Sequence, residues 1–215
     1  MEPNLRTEEE RRSDHRIINY ILPALPMEIK ETFYTSDRKK WHTWLKANHK
    51  KKKEIWLIYY KKASGKKRIP YNDAVEEALC FGWIDSTIKR VDEERFAQRF
   101  TPRRSTSVLS QMNKERIRKL ILEKRMTPAG LAAVSHAFVH NPDHEKSDIP
   151  SRILNAIKKD NNAWKHFQKL PESYKRIRVA YIIGQKRHSA EAFKRSLNHF
   201  IKMTAKNKRF GFVKE

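Results

Sequence analysis

The spacing of apolar residues changes partway along this chain, and that change restricts the fold more than any other feature. Ahead of residue 102 the apolar positions come in short runs rich in β-branched and aromatic side chains, of which residues 55–62 (IWLIYYKK) are the densest. Such runs suit strands, because these side chains pack well on a pleated surface. From Asn113 onward the apolar residues recur at three- and four-residue steps, as in Ile117, Leu120 and Ile121, which is the period of a helix face. A chain that satisfies both periods in that order is expected to be an α+β fold, with a mainly antiparallel sheet and packed helices followed by an all-helical C-terminal part.

The local signals place the elements. Residues 31–35 read as a short strand, and Ser36 and Asp37 then cap a helix with Trp41, Trp44 and Leu45 on one face. Ala63-Ser64-Gly65-Lys66 is expected to turn the strand at 55–62 back into a second strand at 67–70, making a hairpin. Asp73 and Glu76 resemble an acidic capping box opening a short helix that carries Val75, Ala78 and Leu79, with Gly82 suited to its C-terminal end. Residues 83–91 and 96–101 read as two more strands, and Thr127-Pro128 starts a helix through Ala133. Beyond residue 150 four helices are expected, marked by Ile153/Leu154/Ile157, Trp164/Phe167/Leu170, Tyr174/Ile177/Tyr181 and Phe193/Leu197/Phe200, the last capped by Ser189. Lys175, Arg176, Arg178, Lys194, Arg195 and Lys202 are assigned to their outer faces. The expected organisation is a mobile tail at 1–16, an α+β domain at 17–137, a linker at 138–150 and a basic helical module at 151–215.

Charge sharpens this division. The chain has 215 residues, 48 Lys+Arg against 25 Asp+Glu and a formal net charge of +23. Residues 161–215 hold 14 of the bases but only 3 acids. A basic end attracts anionic partners such as nucleic acid, a membrane surface or an acidic protein. The apolar runs are too short to span a bilayer, and the first dozen residues lack the apolar stretch of a signal peptide. One cysteine, Cys80, excludes a disulfide framework and multi-cysteine metal sites. A cytoplasmic setting is expected.

Signatures of catalysis are scarce. The five glycines are far apart, so neither a dinucleotide-binding loop nor a phosphate-binding P-loop can be written, and no HExxH helix or nucleophile elbow occurs. His136, His140 and His144 are four residues apart, but Pro142 interrupts the helix that would stack them, so no metal is expected there. Cys80, flanked by Leu79 and Phe81, reads as a packed core thiol. Two segments stand out: ALCFGWIDS, with Asp85 on a strand, and QRFTPRRSTS, with Arg99, Arg103 and Arg104 around Pro102 and hydroxyls up to Ser107. Guanidinium groups beside hydroxyls and open backbone N–H groups are the ingredients of an anion site.

These segments, with IWLIYYKK, PYNDAVEEALCFGWIDS, RFTPRRSTS, Asn113-Lys114, RMTPAGLAAV and the C-terminal AIKKDNNAWKHFQKLPESYKRI and IIGQKR, resemble the YdeI/OmpD-associated family, often labelled bacteriocin-protection proteins. The resemblance covers residues 32–205. Two positions depart from it: Leu109 stands where the family usually has Trp, and Lys124 where a Gly commonly precedes Arg-Met. It implies a protective or outer-membrane-protein-associated role and carries no reaction, cofactor or catalytic residue.

The leading expectation is a protein without catalytic residues or cofactor that binds an anionic small molecule or acidic protein through Asp85, Arg99, Arg103, Arg104 and Ser107. A second reading is nucleic-acid binding by the basic C-terminal helices, although no helix-turn-helix, RNP-type motif or zinc finger is present. A third is an enzyme using Asp85 with His42 or His49, which Asp85 buried beside Arg99 or Arg103 would favour.

Overall fold

A computed structural model of the protein describes residues 28–136 and 149–211. The expected tail, the histidines at 140 and 144 and most of the expected linker lie outside these residues. The first part runs β1 (Thr32–Tyr34), α1 (Arg38–Asn48), β2 (Ile55–Tyr60), α2 (Tyr71–Cys80), β3 (Trp83–Arg90), β4 (Arg95–Pro102), α3 (Gln111–Leu122) and α4 (Pro128–Val134). The second is helical: α5 (Ser151–Lys158), α6 (Asn161–Gln168), α7 (Glu172–Gly184) and α8 (Ala190–Ala205).

The α+β reading holds, with one refinement. The four strands form a sheet in the order β1-β2-β4-β3. β4 pairs antiparallel with β2 and β3, whereas β1 pairs parallel with β2, so the sheet is mixed. Parallel neighbours need a crossover, and α1 supplies it by laying Trp41 and Leu45 on the sheet. The expected hairpin does not form. Residues 62–64 make one turn of 3-10 helix, Ile69 enters the core and Pro70 precedes α2. Pro70 has no N–H for a ladder and Ile69 is the one apolar residue of Lys67-Arg68-Ile69-Pro70, so β2 takes β1 and β4 as partners instead.

Caps follow the sequence closely. Asp37 accepts from the Lys39 N–H at 2.7 Å, Thr127 from Gly130 at 3.2 Å and Ser189 from Ala192 at 2.9 Å. Asp73 and Glu76 do not cap α2, which begins two residues earlier at Tyr71. Both bind Arg38.

One sheet face, with Ile55, Leu57, Tyr59, Trp83 and Phe100, packs against α1 to α4 around Trp41, Leu79, Ile117 and Leu120. Indole N–H groups taken into this core keep partners: Trp41 donates to the Ala74 carbonyl at 3.0 Å and Trp83 to that of His49 at 3.1 Å. Trp56, Ile58 and Ala97 form a small cluster on the opposite face. A separate core, including Ile153, Ile157, Phe167, Ile182 and Phe200, joins α5 to α8.

Helix α7 corrects the assignment of outer faces. Lys175 and Arg178 are each only 8% exposed, and Arg176 reaches Glu115 on α3 through two 2.8 Å hydrogen bonds. α7 packs against both α3 and α8, so its basic residues lie within contacts.

The two positions that depart from the resemblance each have a definite structural setting. Leu109 is buried in the first core. Lys124 has φ +54° at the end of α3, with its N–H on the Ile121 carbonyl and that of Arg125 on Leu120, the paired bonds of a Schellman motif. This left-handed conformation favours glycine, because a Cβ costs about 1–2 kcal/mol in it. Lys124→Gly is expected to stabilise the protein by about 0.5–1 kcal/mol after the entropy cost of glycine, seen as a higher urea midpoint at unchanged slope.

Candidate functional site

The two singled-out segments lie side by side. Gly82, at φ +75°, turns the chain from α2 into β3, and Trp83, Ile84 and Asp85 then pair with Pro102, Thr101 and Phe100. The Arg103 N–H extends the pairing to the Gly82 carbonyl at 2.8 Å. Side chains alternate across a strand, however, and this separates the expected residues. Asp85 is opposite Phe100, on the face that carries the first core. Arg99 is opposite Trp56 on the other face, where its Nε donates to Glu54 at 3.0 Å and the ion pair pulls the Glu54 carboxyl below its ordinary range.

Asp85 gathers a polar group that sequence reasoning missed. The Tyr71 hydroxyl donates to its carboxylate at 2.6 Å. Burial, then that carboxylate, push the Tyr71 phenol above its usual range. The buried Tyr59 hydroxyl has no hydrogen-bond partner among the described residues, and burial followed by the Tyr71 and Asp85 charges raises its pKa too. Arg116 is held by two neutral side-chain oxygens, those of Asn72 at 2.7 Å and Asn113 at 2.8 Å, and burial lowers its pKa. Tyr71, Asn72 and Asn113 were within quoted motifs, but nothing local indicated that residues 44 apart would meet.

Arg103 donates through Nη2 to the carbonyls of Ser107 and Val108 at 3.0 and 2.8 Å, and its buried Nε has no partner among the described residues. Burial alone lowers its pKa. The turn is closed by the Ser107 N–H on the Arg104 carbonyl at 3.0 Å, and Arg104 is exposed beside it. His136 also meets the Ser107 carbonyl, at 3.3 Å. Asp85 is therefore bonded to Tyr71, Arg99 to Glu54 and Arg103 to backbone carbonyls, so the structure does not bring the side chain of Asp85 together with these arginines.

A second polar cluster is structural. Glu77, 4% exposed, accepts from Arg38 and Arg125 at 2.6 Å and meets His42 Nδ1 at 2.8 Å. Burial opposes its ionisation, but the hydrogen bonds and charges of these neighbours prevail and hold its pKa below the ordinary carboxylate value. Cys80 lies behind it in the core, where burial pushes the thiol up to about 12, the opposite of a nucleophile's setting. Among the described residues no group of His, Cys, Asp and Glu could hold a metal ion, and no helix is long and apolar enough to cross a membrane.

Comparison with known proteins bears out the resemblance over part of the chain. Residues 146–207 match the family described as bacteriocin-protection, YdeI or OmpD-associated. Residues 33–133, which contain both singled-out segments, match a domain of unknown function (DUF8412). No curated protein and no solved structure matches the chain.

The Glu77 cluster yields a stability prediction. Its depressed pKa means that its contribution is complete above the ordinary carboxylate range and is lost as pH falls through the lower folded value. Removing one partner of a buried pair costs ~3–5 kcal/mol; Arg38 and Arg125 retain side-chain exposures of 30%, so Glu77→Gln is expected to cost about 2–3 kcal/mol near neutral pH. Urea unfolding across a pH series should also show a flatter acid limb for the variant.

Proposed function

We propose that the protein is a cytoplasmic binding protein without catalytic activity, taking an anionic ligand or acidic partner on the Arg103–Ser107 turn, and that this binding serves bacteriocin or stress tolerance. Arg103 is the observation that supports the reading. The guanidinium groups of Arg38, Arg99, Arg125 and Arg176 are neutralised by carboxylates, whereas that of Arg103 rests on two neutral carbonyls. Among the described residues no carboxylate pairs with it, and the exposed Arg104, Ser105 and Thr106 of the same turn add further donors. Phosphate and citrate at millimolar concentration are expected to raise the melting temperature of the wild type, and Arg104→Ala and Arg103→Ala should each weaken that response. A wild type indifferent to both anions contradicts the reading.

A second reading is favoured by the outer surfaces of α5 to α8. Lys158, Lys165, Lys194 and Lys202 are exposed there, and the Lys158 ammonium sits 5.1 Å from the Trp164 ring. If these residues neutralise phosphates, the logarithm of duplex affinity falls with the logarithm of salt concentration by ~0.9 for each contact. A gel-shift salt titration of the full chain should then show a steep slope that Lys165→Glu, Lys194→Glu and Lys202→Glu together reduce. A flat wild-type titration removes the nucleic-acid reading.

A further inference from the structure

A cavity of about 830 Å³ opens between the first turn of α3 and helices α7 and α8. The size is that of a small-molecule site. Its walls are largely apolar, with Met112, Ile177, Ala180, Tyr181 and Phe210, and its charged groups are all of one sign: Arg178, Arg187 and Arg195, with His199 beside them. Among the described residues no Asp or Glu lines it.

Arg178 is the unusual member. It is 8% exposed, and its buried Nε has no hydrogen-bond partner among the described residues. Among the described residues no carboxylate pairs with it. Its guanidinium carbon lies 3.9 Å from the Phe210 ring centroid and 5.1 Å from that of Tyr181. The chain then passes over the guanidinium at Gly211, where a Cβ would come within 3.0 Å of Nη1. Ring contacts offset only part of the cost of burying a charge. A buried cation without a carboxylate partner, on the wall of a cavity that no described acid lines, is therefore suited to an anion.

We propose that this cavity binds an organic carboxylate with an apolar, ring-bearing body, and that Arg178 is its anchor. A planar carboxylate matches the two-donor edge of a guanidinium whose face is already covered by a ring. Met112, Ile177 and Ala180 receive the apolar body, and Arg187 and Arg195 draw the anion toward the cavity. The site is distinct from the Arg103 turn and does not depend on the reading given above.

The test uses the full chain with 2-naphthoate, neutral 2-naphthamide and inorganic phosphate as ligands, read by thermal unfolding and calorimetry. Naphthoate is expected to raise the wild-type melting temperature saturably, by ~5 °C at concentrations far above its Kd, and naphthamide and phosphate should do much less. Arg178→Met, which keeps the contact with Phe210 but removes the charge, should lose the response while the unliganded protein melts no lower than wild type. Ala192→Phe, which fills the cavity and leaves Arg178 in place, should lose it as well. Arg103→Ala should retain it, separating this site from the other. The proposal is overturned if wild type ignores naphthoate, if naphthamide or phosphate matches it, if either cavity variant still responds, or if unliganded Arg178→Met melts markedly lower, which would make Arg178 a structural residue.

Discussion

The carboxylate of Glu77 organises the N-terminal half. It sits on the buried side of α2 and receives Arg38 and His42 from α1 and Arg125 from the segment between α3 and α4, so three pieces of chain distant in sequence meet on one anion. The core beneath it is apolar and largely non-directional, and it would tolerate several helix placements. Charged hydrogen bonds with fixed geometry do not. α2 in turn ends at Cys80, whose carbonyl accepts both the N–H and the hydroxyl of Thr127, and Gly130 lets α4 approach so closely that a Cβ would lie 2.3 Å from that carbonyl. Gly82 is the next turn of the same chain, so the start of β3 inherits this placement.

A comparable device joins the two halves. Glu115 on α3 receives both hydrogen bonds from Arg176 on α7, together with Gln111 and Arg118 from its own helix. This fixes the first turns of α3 opposite α7, and the cavity lined by Ser110, Gln111, Met112 and Arg178 lies across the same junction. The arginines of this protein thus divide by partner. Those that meet buried carboxylates hold the fold; Arg103 and Arg178 meet carbonyls or rings and, among the described residues, no carboxylate, whereas Arg116 hydrogen-bonds neutral amides within the field of Asp85 and Glu76.

Most elements were legible in the sequence because their signals are local. The capping side chains of Asp37, Thr127 and Ser189, and the helical spacing of Phe193, Leu197 and Phe200, each depend on neighbours within a turn or two. What failed was non-local. A hairpin at residues 63–70 satisfied turn chemistry, but β2 found better partners 24 and about 40 residues away, in β1 and β4. The motif around Pro102 looked like one cluster because its arginines are close in sequence, whereas strand alternation sent Arg99 to the face opposite Asp85. Arg178 looked like one more solvated base, and only the packing of α7 on both sides showed it to be buried. The polar group of Tyr71, Asp85 and Arg116 assembles from three elements, and no spacing rule announces it.

The strand order also has a consequence for synthesis. β4 is last of the four strands in sequence, yet it lies between β2 and β3 and contributes most of the sheet's pairing. Until residues through Pro102 have emerged, β2 has only the three-residue β1 beside it, and the edge formed by Ile55 to Tyr60 stays open. A run of six such residues with unpaired backbone is prone to stray pairing. The nascent chain therefore passes through a sticky interval that closes when its final strand inserts.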